Sequence, residues 1–109
     1  MSIHGALDLF EAELSGHPDR DSAVNLYRHM LDLAQQVDVN DHEGLVRALD
    51  AWLKQRSEPR TMIAVDIAGK LKLTRLREEL GRLLEEVRAG KAFLPHYARW
   101  ISETIQAMS

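Results

Sequence analysis

Cysteine is absent from this chain of 109 residues, which removes disulfides, thiolate metal sites and cysteine nucleophiles together. Stability must then come from packing alone, and the lack of thiols fits a reducing compartment. Aromatic residues are scarce, at 6%, and none is interleaved with the basic run between Lys70 and Arg82. That run therefore lacks the stacking partners on which single-stranded nucleic acid is held. There is no glycine-rich phosphate loop, no G-x-S-x-G and no H-E-x-x-H. The longest nearly uncharged stretch, Thr61 to Gly69, is interrupted by Asp66 and falls far short of the roughly 20 apolar residues that span a bilayer. The first fifteen residues carry Asp8, Glu11 and Glu13, where a secretory leader would be basic and then apolar. These absences predict a cytoplasmic protein with no membrane segment, no cofactor and no metal.

What remains is ordinary for a globular chain: 45% apolar and 28% charged residues. The length suits one domain over residues 1–109. Apolar residues recur at helical spacing throughout, and strict alternation is missing. The pattern predicts an all-α fold of five or six antiparallel helices. Ile3, Leu7, Phe10 and Leu14 mark the first, with Ser2 as its cap and Gly16 as its stop. Asp19 or Asp21 caps the second, whose face carries Ala23, Leu26, Tyr27, Met30, Ala34 and Val37. Asn40 and Asp41 announce the third, with Leu45, Val46, Leu49, Trp52 and Leu53 in one stripe. The fourth runs from about Pro59 to Leu71 and is apolar on so many sides that it belongs at the centre. Thr74 is placed to cap the fifth, Gly90 to stop it, and Leu94-Pro95 to open the sixth. Joints are expected at residues 15–20, 38–42, 55–59, 71–75 and 90–94. The expected core includes Leu31, Leu49, Met62, Ile63, Ile67, Leu71, Leu80 and Leu84.

An internal likeness supports a finer reading. Asp32-Leu33-Ala34-Gln35-Gln36-Val37-Asp38-Val39-Asn40 aligns with Asp66-Ile67-Ala68-Gly69-Lys70-Leu71-Lys72-Leu73-Thr74 at an offset of 34 residues. With a one-residue gap, Leu45, Leu49 and Trp52 then fall on Leu80, Leu84 and Val87. A helix end, a tight polar turn and an amphipathic helix at this period are what stacked helical repeats produce. Across residues 22–90 the chain resembles the HEAT and armadillo-like superfamily, while the tryptophan, glycine and tyrosine signature of tetratricopeptide repeats is missing. The resemblance implies a short α–α superhelix that binds macromolecules on a helical surface without chemistry of its own, and it assigns no site residue. The competing architecture is an irregular closed bundle.

Few constellations suggest chemistry. Of the five histidines, His4, His17, His29, His42 and His96, no two have the i, i+4 spacing of a helical zinc site. His17, Asp19 and Asp21 make a loop cluster better explained by capping. Asp38 to Glu43 has the look of a calcium loop, but Glu43 replaces the glycine of the sharp turn and Leu49 the bidentate acid. Asp66 is either a buried carboxylate in the most apolar helix or half of a surface pair with Lys70. Charge is uneven: residues 1–54 hold ten acids and four bases, and residues 55–109 hold seven acids and ten bases. Lys70, Lys72, Arg75, Arg77 and Arg82 form the basic cluster, and Trp52, Tyr97 and Trp100 would anchor an interface if exposed. Ten arginines against four lysines point to a bacterial, GC-rich source. The sequence thus predicts a non-catalytic protein-interaction domain that binds a protein partner or itself. The alternative is a nucleic-acid-associated accessory protein using the basic turn.

Overall fold

The computed structural model describes residues 3–16 and 23–108, with side chains for residues 5–16 and 25–108. All described regular structure is helical: α1 (Ile3–Gly16), α2 (Ala23–Asn40), α3 (His42–Gln55), α4 (Arg60–Lys70), a 3-10 turn (Thr74–Leu76), α5 (Arg77–Arg88) and α6 (Tyr97–Ala107). No helix among the described residues is long and apolar enough to cross a membrane. The expected Ser2, Asp19 and Asp21 caps and the His17–Asp21 cluster lie outside the described residues. The chain divides into two compact units, Met1–Leu49 and Asp50–Ser109, with α3 crossing the boundary.

In the first unit α1 packs against α2. Ala6 and Phe10 of α1 are buried, as are Met30, Ala34 and Val37 of α2, at the i, i+4, i+7 spacing that lays a stripe on one helical face. Leu31, expected in the core, is only half-buried, because it lies one residue past Met30 and so about 100° round the helix. One residue, Asp41, joins α2 to α3. Its Oδ1 accepts the Gly44 N–H at 3.0 Å, the N-cap bond expected of it. A Cβ at Gly44 would strike this carboxylate. The segment that resembled a calcium loop is thus a capped helix start.

In the second unit α4 is the most enclosed helix: Thr61, Met62, Ile63, Ala64, Val65, Ile67 and Ala68 are all buried. A helix buried around its circumference needs neighbours on several sides, and α6 is one of them. α5 contributes Leu80, Leu83 and Val87, and it also packs on α6, which contributes Ile101 and Thr104, with Met108 buried at its C-cap. Leu71 and Leu84 are half-buried, not core. Leu71 has left α4 to become its C-cap, and Leu84 lies on the flank of the Leu80–Leu83–Val87 stripe.

Two polar devices hold the joint after α3. Thr61 is buried, and its hydroxyl donates to the Trp52 carbonyl at 2.8 Å while accepting the Ser57 N–H at 3.0 Å. One side chain thereby satisfies a helix-end carbonyl and a turn amide. Arg56, at φ 51°, grips Glu86 through Nε at 3.0 Å and Nη2 at 2.7 Å. It also reaches Glu79 at 2.8 Å and the Leu53 carbonyl at 2.7 Å. That fork ties the end of α3 to α5. Pro59 stands at the N-cap of α4, one position before its expected place, with Arg60 opening the helix. Thr74 does not cap α5; it begins a 3-10 turn, and Leu76 is the residue before the helix proper.

Candidate interaction surface

The basic cluster is built around the end of α4. Leu73 N–H bonds to Ala68 O at 2.9 Å and Lys72 N–H to Gly69 O at 3.3 Å, the paired bonds of a Schellman motif. The motif puts Lys72 at φ 53°, in the left-handed region where glycine is the usual occupant. Lys70, Lys72, Arg75, Arg77 and Arg82 are all exposed, but they do not form one uniform patch. Lys70 Nζ lies 3.2 Å from Asp66 Oδ1, four residues back on the same helix. Arg82 is divided between Glu78 at 2.7 Å and Glu79 at 3.1 Å. At most Lys72, Arg75 and Arg77 remain to meet an anion, and Lys72 and Arg77 form no ion pair among the described residues.

The aromatic candidates part ways. Trp52 is fully buried and belongs to the core stripe of α3, which removes it from the set of interface anchors. Trp100 is half-buried and reachable. Its ring centroid lies 6.4 Å from that of Tyr97, and Phe93 meets Tyr97 edge-on at 6.1 Å. The His96 ring is 4.4 Å from Tyr97. Partial burial, and then a hydrogen bond to the Glu58 carboxylate, push the Tyr97 hydroxyl above its ordinary pKa. Leu94, between Phe93 and Pro95, is 60% exposed. The loop before α6 and the first turns of that helix therefore present a row of Phe93, Tyr97 and Trp100 with an exposed leucine beside it.

Trp100 also lines a shallow groove of about 270 Å³ between α4 and α6, with Asp66, Gly69, Lys70, Glu103, Thr104 and Ala107. α4 supplies Asp66, Gly69 and Lys70, an i, i+3, i+4 face; α6 supplies the matching face from Trp100 to Ala107. The helices come close there, because a Cβ on Gly69 would lie 2.7 Å from Thr104 Cγ2. Asp66 answers to both descriptions offered by the sequence. Its side chain is 12% exposed and does pair with Lys70, while its Oδ2 is buried with no hydrogen-bond partner among the described residues. Phe93, Leu94, Gly69 and Thr104 were not among the sequence candidates. The apolar pair after Gly90 was a visible signal for the first two, and nothing in one sequence reveals that Gly69 meets Thr104.

No family model, curated protein or solved structure matches the chain. The fold itself defines an all-helical protein, and the surface described above is the ground for assigning it a role.

Proposed function

We propose that the chain is a non-catalytic interaction module of a bacterial cytoplasm, docking a partner protein on the aromatic row at the start of α6. The observation that carries this reading is Leu94, 60% exposed beside Phe93, Tyr97 and Trp100. Aromatic side chains bring large contact area at low entropic cost and are enriched where partners bind. The resemblance to HEAT-like repeats over residues 22–90 belongs to the same proposal, since such folds bind partners on helical faces. A second copy of the chain is the simplest such partner.

One observation favours a second reading, nucleic-acid association. Lys72 holds a left-handed backbone position at a cost glycine would avoid, beside Arg75 and Arg77. Lys70 and Arg82 are held by carboxylates, however, so at most three cations of the cluster would meet phosphates. They would give a salt slope of about 2–3 log units per tenfold of salt and weak binding at physiological ionic strength.

Leu94→Glu and the triple change Lys72→Glu, Arg75→Glu, Arg77→Glu separate the two readings. Wild type and both variants are immobilised at about 0.15 M salt, exposed to extract of the host cell, and the retained proteins identified. Sedimentation of each protein alone tests self-association. The expected outcome is a retained protein, or a dimer, that disappears with Leu94→Glu and survives the triple change. Micromolar binding of random DNA or RNA oligomers, abolished by the triple change in a folded protein, would replace this reading with the second one.

A further inference from the structure

We propose that the groove between α4 and α6 is a socket for an arginine side chain of the docked partner, with its guanidinium held by Asp66 and stacked on Trp100. This rests on the interaction-module reading and specifies what the partner must carry.

The argument begins with an incompletely satisfied carboxylate. An ionised carboxyl accepts at two oxygens, and a buried acceptor left without a partner is costly. Asp66 Oδ1 has the Lys70 ammonium at 3.2 Å, but Oδ2 is buried and has no partner among the described residues. An ammonium is a point charge at the end of a flexible stem, and here it serves one oxygen. A guanidinium presents two parallel N–H groups and can serve both. Lys70 is 57% exposed, so it can swing into water and open the way to the carboxylate when a better cation arrives.

The rest of the groove suits the same guest. Trp100 offers an indole ring, the strongest of the aromatic faces for a cation. Gly69 and Ala107 contribute no bulk beyond a methyl group. Thr104 turns its hydroxyl away to the Trp100 carbonyl at 2.9 Å. Glu103 adds negative charge at the rim, where Arg99 shares it at 3.0 Å. At about 270 Å³ the space is smaller than the roughly 300–1,000 Å³ of cofactor and drug sites, and it fits one long side chain. Because Trp100 continues into Tyr97 and Phe93, residues flanking the arginine would rest on apolar rings. The partner segment therefore carries an arginine with apolar neighbours.

The test uses the full chain labelled with 15N and three probes: acetyl-Leu-Arg-Leu-amide, its citrulline counterpart, which is neutral and nearly isosteric, and its lysine counterpart. The arginine peptide should give saturable shifts at the Trp100 indole N–H and at the Gly69 and Thr104 amides. Binding should weaken about tenfold with citrulline and measurably with lysine. Asp66→Asn should abolish it, and Lys70→Ala should tighten it about twofold, the strength of an i, i+4 pair now removed as competitor. Trp100→Leu serves as a second variant should Asp66→Asn fail to fold, and it too should weaken binding. Equal response to arginine and citrulline, undiminished binding in Asp66→Asn or Trp100→Leu, or no shift at these positions at ~10 mM peptide would overturn the proposal. A host protein captured through Leu94 yet indifferent to Asp66→Asn would sink the socket alone. Capture indifferent to Leu94→Glu would sink the reading beneath it.

Discussion

Replacing Arg56 by methionine keeps most of the apolar stem and deletes the guanidinium that joins the end of α3 to Glu79, Glu86 and the Leu53 carbonyl. The consequence depends on what is left behind. Glu79 is 7% exposed and would retain Arg82, at 3.1 Å, as its ion-pair partner among the described residues. Removing one partner of a buried pair costs about 3–5 kcal/mol. Arg56 is itself one-fifth exposed and Glu86 more than one-third, so solvent screening lowers the expectation to about 2–3 kcal/mol. Urea unfolding followed by far-UV circular dichroism should show that loss as a lower midpoint with an unchanged slope. Arg56→Lys should recover less than half, because a lysine cannot reproduce the two-pronged bond to Glu86. A loss below about 1 kcal/mol would show that the network is a surface ornament.

The same network makes a pH prediction. The hydrogen bond from Arg56 holds the Glu86 carboxyl below its ordinary value of 4.5. A carboxylate with a depressed folded-state pKa contributes stability that is complete above the unfolded value and is lost as pH falls through the folded one. The wild-type chain should therefore lose stability as pH drops below 4.5, and Arg56→Met should lose less over the same interval. Parallel pH profiles for the two proteins would refute the assignment.

Two further substitutions probe the fold by the same unfolding assay. Thr61→Val keeps the shape but strands the Trp52 carbonyl and the Ser57 N–H, and it should cost about 1–3 kcal/mol, with Thr61→Ser recovering most of it; equal losses would mean that the hydroxyl is not what matters. Gly69→Ala gains about 1 kcal/mol of helix propensity, yet its methyl would meet Thr104 Cγ2 at 2.7 Å; a net loss of about 1–2 kcal/mol is expected, reversed when Thr104→Ser is added, and a stabilised single variant would show that the helices part easily.

Helix identity and order could be read from the sequence because local signals agree with one another along most of the chain. Asp41 is a cap residue before an apolar stripe, and it caps α3. The crowded apolar pattern of α4 could be satisfied only by enclosure, and the helix is enclosed. Expectations failed where one turn's bonding decides the outcome. Thr74 has the chemistry of a cap, but the Schellman bonds at Lys72 and Leu73 set the chain into a 3-10 turn first. Leu71 and Leu84 have core chemistry and lie at the margin of their stripes. Of the candidate surface, Trp100 and Lys70 could be named beforehand, while Trp52 is in the core, a distinction that periodicity alone does not make. The partners of Arg56 lie 23 and 30 residues away. No local pattern encodes such a pairing.

The groove and the stability of the second unit are linked through one small residue. α4 is buried at seven of its eleven positions, so beyond Arg60 at its start its outer face is confined to Asp66, Gly69 and Lys70, an i, i+3, i+4 set. Glycine inside a helix is unfavourable on propensity grounds, and the offset here is close approach: α6 can come near only because position 69 has no side chain. That approach brings Trp100 and Glu103, on the face of α6 that turns toward α4, beside the Asp66 carboxylate. A larger residue at 69 would push α6 outward, carry the indole away from the carboxylate and fill the floor between them. Repairing the clash with Thr104→Ser would restore packing but leave the added methyl in the groove. Stability and guanidinium binding should therefore separate in the Gly69→Ala/Thr104→Ser protein, the first recovered and the second still impaired, which is what distinguishes a site from a by-product of helix packing.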